Sequence, residues 1–208
     1  MNAANKLIRD KLGKDDRGFR EIVQDKAIEI IAKHLLGDRR FTIGDHQIFR
    51  ECWVCSKRGN LLRRVIDDVR AEIAVRGIRS HQIETNTLLE SIVCGRGFLT
   101  PREERETRKI QGKTIVAYRG CKGPEDFGYC WTLAKDVAEF FAGRQDGQVV
   151  TAHVQAVAWL NTAEHEVIVL SPDSVTVVAV EAPDEGWRGP GPGFWDNRPT
   201  ILPAQHIM

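Results

Sequence analysis

The stretch Thr114-Ile115-Val116-Ala117-Tyr118-Arg119-Gly120, with Cys130-Trp131-Thr132 and then Glu164-His165-Glu166-Val167-Ile168-Val169-Leu170 after it, decides how the second half of this chain is read. An apolar run leads into Arg119. Trp131-Thr132 opens a segment of helical period, Ala134–Gly143, whose buried face is Ala134, Val137, Ala138 and Phe141. Thr132 is placed to be the N-cap of that helix, because a hydroxyl oxygen can accept from a free N–H of the first turn. The two glutamates flank one residue and feed directly into an apolar, β-branched run. Alternate residues of an extended chain point to the same side. Glu164 and Glu166 are therefore expected to present two carboxylates to one cleft at the mouth of a strand.

Around this stretch, Thr114–Tyr118, Gln148–Leu160, Glu166–Leu170 and Ser174–Glu181 are rich in Val, Ile and Thr and read as strands. After Glu181 come Pro183, Gly186, Gly189, Pro190, Gly191, Pro192 and Gly193, a composition that resists helix and central strand alike. Trp187, Phe194 and Trp195 predict that this segment packs back onto the body. The first half reads as helix. Ile22, Val23, Ala27, Ile30, Ile31 and Leu35 form one apolar stripe, ended at Gly37-Asp38. Leu61, Leu62, Val65, Ile66, Val69 and Ile73 form a second, stopped by Gly77, and Leu88, Leu89, Ile92 and Val93 a third, stopped near Gly95. Pro101 opens a short charged helix to about Ile110, since proline is tolerated in a first turn. Phe41–Val54 fits either a loop with a short strand or another helix. The expected organisation is α+β. It has a helical region 1–113 packed on a mixed or antiparallel β core 114–181, and a Gly/Pro-rich segment 182–208 packed back.

Composition narrows the classes. The chain has 208 residues, 42% of them apolar, enough for a real core. No run of 18 apolar residues occurs, so no membrane span is expected, and Met1–Gly13 lacks the apolar stretch of a secretory signal. Five cysteines, at 52, 55, 94, 121 and 130, form no regular framework, which fits a reduced, cytoplasmic chain. Net charge is +1, but unevenly spread: residues 1–113 hold 24 Lys+Arg against 17 Asp+Glu, and residues 114–208 hold 6 against 12. A basic half can guide an acidic partner; it is also what solvated helix faces look like.

The order of these motifs resembles the ADP-ribosyltransferase superfamily. The resemblance is to its branch with an arginine, a Ser/Thr-type strand and a Glu-x-Glu pair, and in particular to its bacterial and phage members. Those carry a Tyr-Arg-Gly strand, a Ser-Trp-Thr segment before an Ala- and Phe-rich helix, and a glutamate pair before an apolar strand. The likeness covers about residues 114–181, and Cys130 stands where the pattern has serine. The resemblance implies a split two-sheet core that holds NAD in its cleft. The implied activity is mono-ADP-ribosyl transfer from NAD to a macromolecular acceptor, a host protein or nucleic acid, with release of nicotinamide and no metal. By the same resemblance Glu166 is the catalytic carboxylate and Glu164 serves the acceptor. Arg119 clamps the NAD phosphates, and Gly120 lets the backbone approach the nicotinamide. Thr132 supports Glu166 by a hydrogen bond. Tyr118, Trp131 and Phe140 supply aromatic surface, Phe140 as the ring that stacks on nicotinamide. Members of this kind act as toxins or effectors in the cytoplasm of producer or host, which adds a neutralising protein to the implied partners.

Two other classes fit the same residues: an NAD hydrolase with water as acceptor, and a silent binding module whose basic half is the working surface. The remaining motifs carry less. Cys52-Trp53-Val54-Cys55 is a lone CxxC, short of the four ligands of a structural zinc site. Gly112-Lys113-Thr114 imitates the end of a P-loop, but Thr107 stands where its first glycine belongs. His165-Glu166 lacks the second histidine of a zincin.

Overall fold

The computed structural model describes residues 30, 42–56, 92–95, 97–123, 125, 128–184, 194–195 and 198–208, with 51–56 as backbone. The chain divides into two compact units, Met1–Phe98 and Leu99–Met208. In the first unit the ambiguous segment is helix α1, Ile43–Ser56. Asp45 fixes its start by accepting from the N–H and the hydroxyl of Thr42, both at 2.8 Å. His46 Nδ1 lies 2.9 Å from the carbonyl of Ile92, and Arg50 donates to the carbonyl of Phe98 at 2.8 Å. Among the described residues of this unit, Ile30, Ile48, Phe49, Ile92, Val93 and Phe98 are the buried apolar ones. Apart from Ile30, Ile92 and Val93, the three predicted stripes lie outside the described residues, as does Trp187.

The second unit begins at Leu99, so the charged helix α2, Pro101–Ile110, belongs to it rather than to the helical half. Thr100 and Glu103 form a reciprocal capping box at its start. Glu103 is fully buried, and its second carboxylate oxygen accepts from the N–H of Asn161 at 2.7 Å. One turn on, the Thr107 hydroxyl accepts from the N–H of Trp159 at 3.0 Å. These two side chains fasten α2 to β4.

Six antiparallel strands follow: β1 Ile115–Cys121, β2 Cys130–Thr132, β3 Gln148–Val154, β4 Ala158–Trp159, β5 Glu166–Ile168 and β6 Val175–Glu181. Their order is β4-β5-β2-β1-β3-β6. The unit is α+β, but the expected two sheets are one among the described residues, because β1 pairs with both β2 and β3. The junction is narrow: β1 and β2 stand in register only at Tyr118↔Thr132, against seven pairs between β1 and β3.

Alternation assigns the two faces. Ile115, Ala117 and Cys121 of β1 join Trp131, Val150, Ala152, Val154, Trp159 and Val167 in the main core, with Ile110 of α2. The opposite face carries Tyr118 and Gly120, and helix α3, Lys135–Gly143, lies on it through Ala138 and Ala142. The helix starts later than read: its N-cap is Ala134, with no side-chain cap bond, and Thr132 is the last residue of β2. Gly120 is required by this packing. A Cβ there would meet the carbonyl oxygen of Ala138 at 2.1 Å and the nitrogen of Ala142 at 2.5 Å. The close approach that Gly120 allows is thus to α3, not to a ligand.

Gly120→Ala should therefore destabilise the protein even though alanine is the smallest change available. The obstacle is helix backbone, so the expected loss is about 1–3 kcal/mol or more. It should appear as a lower urea midpoint with unchanged slope. An unchanged midpoint would remove the packing argument.

Candidate functional site

The strands that carry the three sequence motifs are neighbours in the interior of the sheet, in the order β5-β2-β1. Thr132 stands opposite Tyr118 on one side and Glu166 on the other. Directly opposed residues of antiparallel strands share a face. Tyr118, Thr132 and Glu166 therefore form a row across three strands, on the face that α3 partly covers, and Cys130 lies two residues along from Thr132. Glu166 is 8% exposed and Thr132 6%. The row is a carboxylate largely withdrawn from water, flanked by a hydroxyl and a half-buried phenol.

Glu164 is not related to Glu166 as the extended-chain argument expects. His165 between them has φ +48, in the left-handed region, so the chain turns there. Glu164 lies in a turn and Glu166 opens β5. The hydroxyl of Thr132 holds the two segments together. It donates to the carbonyl of Glu164 at 2.6 Å and accepts from the N–H of Ala134 at 3.0 Å. Its proton is committed to the backbone of the turn, which replaces both the N-cap role and the direct bond to Glu166 expected of it.

Arg119 and Trp131 belong by alternation to the core face, with Ala117 and Val167. Trp131 is 4% exposed and donates from Nε1 to the carbonyl of Gly128 at 3.0 Å; it is a core residue, not ligand surface. Arg119 donates to the carbonyl of Cys130 at 2.7 Å, and its guanidinium lies against Gly128, where a Cβ would come within 2.1 Å of it. The carbonyl of Tyr129 and the N–H of Leu133 bond toward the β5 side, so alternation turns the Cys130 carbonyl toward β1. Arg119 thus fills the place where the β1–β2 ladder stops, and is engaged by the chain's own backbone. Phe140 joins an aromatic group instead of standing open: its ring is 5.1 Å from Trp195 and 5.2 Å from Phe141, with the Arg144 guanidinium 5.5 Å over it.

The sequence reading missed three residues beside this row. Asp136, at the start of α3, takes both terminal nitrogens of Arg198, at 2.5 and 2.7 Å. That guanidinium holds the Asp136 carboxyl below its usual range. His165 is 2% exposed, and its Nδ1 accepts from the N–H of Ile201 at 3.4 Å. Burial first, and then Arg198, lower its pKa from 6.5, so the ring is held neutral. On the outer side of α3, Lys135 bonds Glu181 at 2.7 Å, which raises its pKa. Glu139 is raised by partial burial and then by Asp184, Asp136 and Glu181 nearby. The aromatics Phe194 and Trp195 were a readable signal for the return of this segment; nothing in the sequence marked Arg198 as the partner of Asp136.

Among the described residues no group of His, Cys, Asp and Glu is arranged to hold a metal ion, and no helix is long and apolar enough to cross a membrane. Comparison with protein-family models, with curated proteins and with solved structures gave no match to this chain.

Thr132→Val keeps the shape of the side chain and removes both hydroxyl bonds. A carbonyl and an N–H are left without their partner, so the expected loss is about 1–3 kcal/mol. Equilibrium unfolding of the two proteins measures it. A loss below about 0.5 kcal/mol, the range of an unremarkable surface substitution, would mean that the hydroxyl does not hold the turn.

Proposed function

We propose that this chain transfers ADP-ribose from NAD to a macromolecular acceptor and releases nicotinamide, with Glu166 as the catalytic carboxylate. The observation that supports the reading most is the row Tyr118–Thr132–Glu166 across β1, β2 and β5. It draws three motifs separated by up to 48 residues into one patch. NAD supplies a glycosidic bond whose cleavage develops positive charge on the ribose. The residues fit the ribose end of such a substrate: a carboxylate mostly shielded from water interacts more strongly with developing positive charge than an exposed one. Glu166 acts by opposing that charge, a contribution larger in the transition state than in the ground state. Glu164, in the turn beside it, serves the acceptor. Arg119 is not assigned to the phosphates, since its guanidinium is bonded to the Cys130 carbonyl and its side chain leaves the sheet on the core face.

Nicotinamide release from NAD tests this directly. Glu166→Gln keeps the shape and removes the charge; the expected loss is about 3–4 kcal/mol of transition-state stabilisation, a hundredfold or more in rate, with the fold retained. Near wild-type turnover would take Glu166 out of catalysis. No release by the wild-type chain, with or without cell extract as acceptor source, would end the reading.

Glu164→Gln should separate two activities. Transfer of label from NAD to acceptor is expected to fall at least about tenfold more than hydrolysis to free ADP-ribose. If both fall together, Glu164 belongs to NAD binding or to the fold. If wild-type turnover is the same without any acceptor, water is the acceptor.

A further inference from the structure

We infer that the segment Arg198–Ile207 is a strap that sets the conformation of the Glu164-His165-Glu166 turn, and that His165 is the positioning residue through which it acts. The catalytic consequence rests on the function proposed above; the conformational one does not.

The segment is anchored on both sides of Ile201. Before it, Arg198 is bidentate to Asp136 and lies 4.6 Å over the ring of Phe194, and Trp195 meets Phe140 on the same helix. After it, Ile207 bridges to Ile115, and the N–H of Met208 donates to the carbonyl of Thr114 at 3.3 Å. Ile201, Leu202 and Ile207 pack on the main core. The strap therefore runs from α3 to the first residues of β1, and passes the acidic turn on its way.

At that crossing the only side-chain hydrogen bond of His165 among the described residues is the one from the N–H of Ile201, at 3.4 Å. The backbone of His165 is held as well: its N–H donates to Thr162 at 3.0 Å and its carbonyl accepts from Leu133 at 3.1 Å. A left-handed histidine is unfavourable by about 1–2 kcal/mol, so this conformation persists because its surroundings impose it. It is also the conformation that ends two-residue alternation and lets Glu166 enter β5 opposite Thr132 while Glu164 stays in the turn. The bond from Ile201 requires a neutral ring with a bare Nδ1. Burial is the largest influence on the ring and disfavours its charged form; of the charged groups facing it, Arg198 from the strap acts with burial and Asp136 from α3 against it. A group with a lowered folded pKa lends stability above its unfolded pKa and loses it as pH falls through the folded one. The strap contact is thus complete at pH 6.5 and above, and is lost as pH falls further, through the lowered pKa of the folded ring, where it takes a proton.

Amide hydrogen exchange on the full chain tests this at Ile201 and Leu133, with Gln155, bonded to Ser174 at 2.9 Å away from the turn, as internal reference. In His165→Ala, protection at Ile201 and Leu133 should fall at least about tenfold while Gln155 stays within about twofold. His165→Asn should recover protection to within about threefold of wild type, because asparagine tolerates the left-handed region and its Oδ1 can accept. In wild type, protection at Ile201 relative to Gln155 should hold at pH 6.5 and drop on further acidification, as pH passes through the lowered pKa of the folded ring. This arm decides the matter if His165→Ala does not fold. Retained protection in His165→Ala, failure of asparagine to restore it, or an Ile201 ratio flat across the acid range would each overturn the strap. For the catalytic part, His165→Ala should lower kcat for nicotinamide release about tenfold with KM within about threefold. Altered exchange with unchanged kcat would reject positioning and leave a purely structural strap. If wild type releases no nicotinamide, the proposed function and this catalytic part fall together, and exchange still decides the strap.

Discussion

The hydroxyl of Thr132 ties three pieces of chain together at the end of the β2–β5 ladder. It ends β2, receives the N–H of Ala134 where α3 is about to begin, and gives its proton to the carbonyl of Glu164. One oxygen therefore sets the direction in which the helix leaves the sheet and the place at which the acidic turn returns to it. Both bonded groups are backbone, and an unpaired backbone group out of water costs more than a paired one gains. Because Thr132 also stands opposite both Tyr118 and Glu166, the row on the sheet inherits its geometry from this residue.

The two faces of the sheet do different work. One is closed by α2, whose buried Glu103 and Thr107 bond the backbone of Asn161 and Trp159, and by the apolar residues of the returning segment. On the other, α3 packs against Val149 and comes closest where Gly120 lets the helix backbone approach. Thr132 and Glu166 lie on this same face, on β2 and β5, with the fully buried Ile168. The narrow β1–β2 junction, with Arg119 on the Cys130 carbonyl, is the point at which the ladder is weakest. Withdrawal of Glu166, on β5, from water is what gives a carboxylate electrostatic reach, since interactions between charges strengthen as the local dielectric falls.

Much of this was legible in the sequence, for identifiable reasons. The strand of Ile115–Cys121, the helix of Lys135–Gly143 and the strand of Val175–Glu181 follow from β-branched runs and from the Val137, Ala138, Phe141 stripe. The return of Phe194 and Trp195 onto α3 follows from aromatic side chains in a segment with little else to bury. Pro101 likewise placed the start of α2, but not the fact that Glu103 reaches Asn161. Local chemistry determines such elements because it acts through neighbours in the chain.

What only the tertiary structure decided is which residues share a face and a neighbour. Arg119 and Tyr118 are adjacent in sequence, yet register places one with the core and the other with Glu166; alternation alone cannot say which side is which. Glu164 and Glu166 look like a same-side pair, and one left-handed residue between them undoes that relation. Histidine enters the left-handed region more often than most residues, but that preference does not select this position; Thr162, Leu133 and Ile201 hold the conformation from outside. Gly120 looks like room for a ligand and is room for a helix. Local sequence marked several of the strands and helices. The tertiary structure decided their company, because long-range pairing and packing set the direction of each side chain.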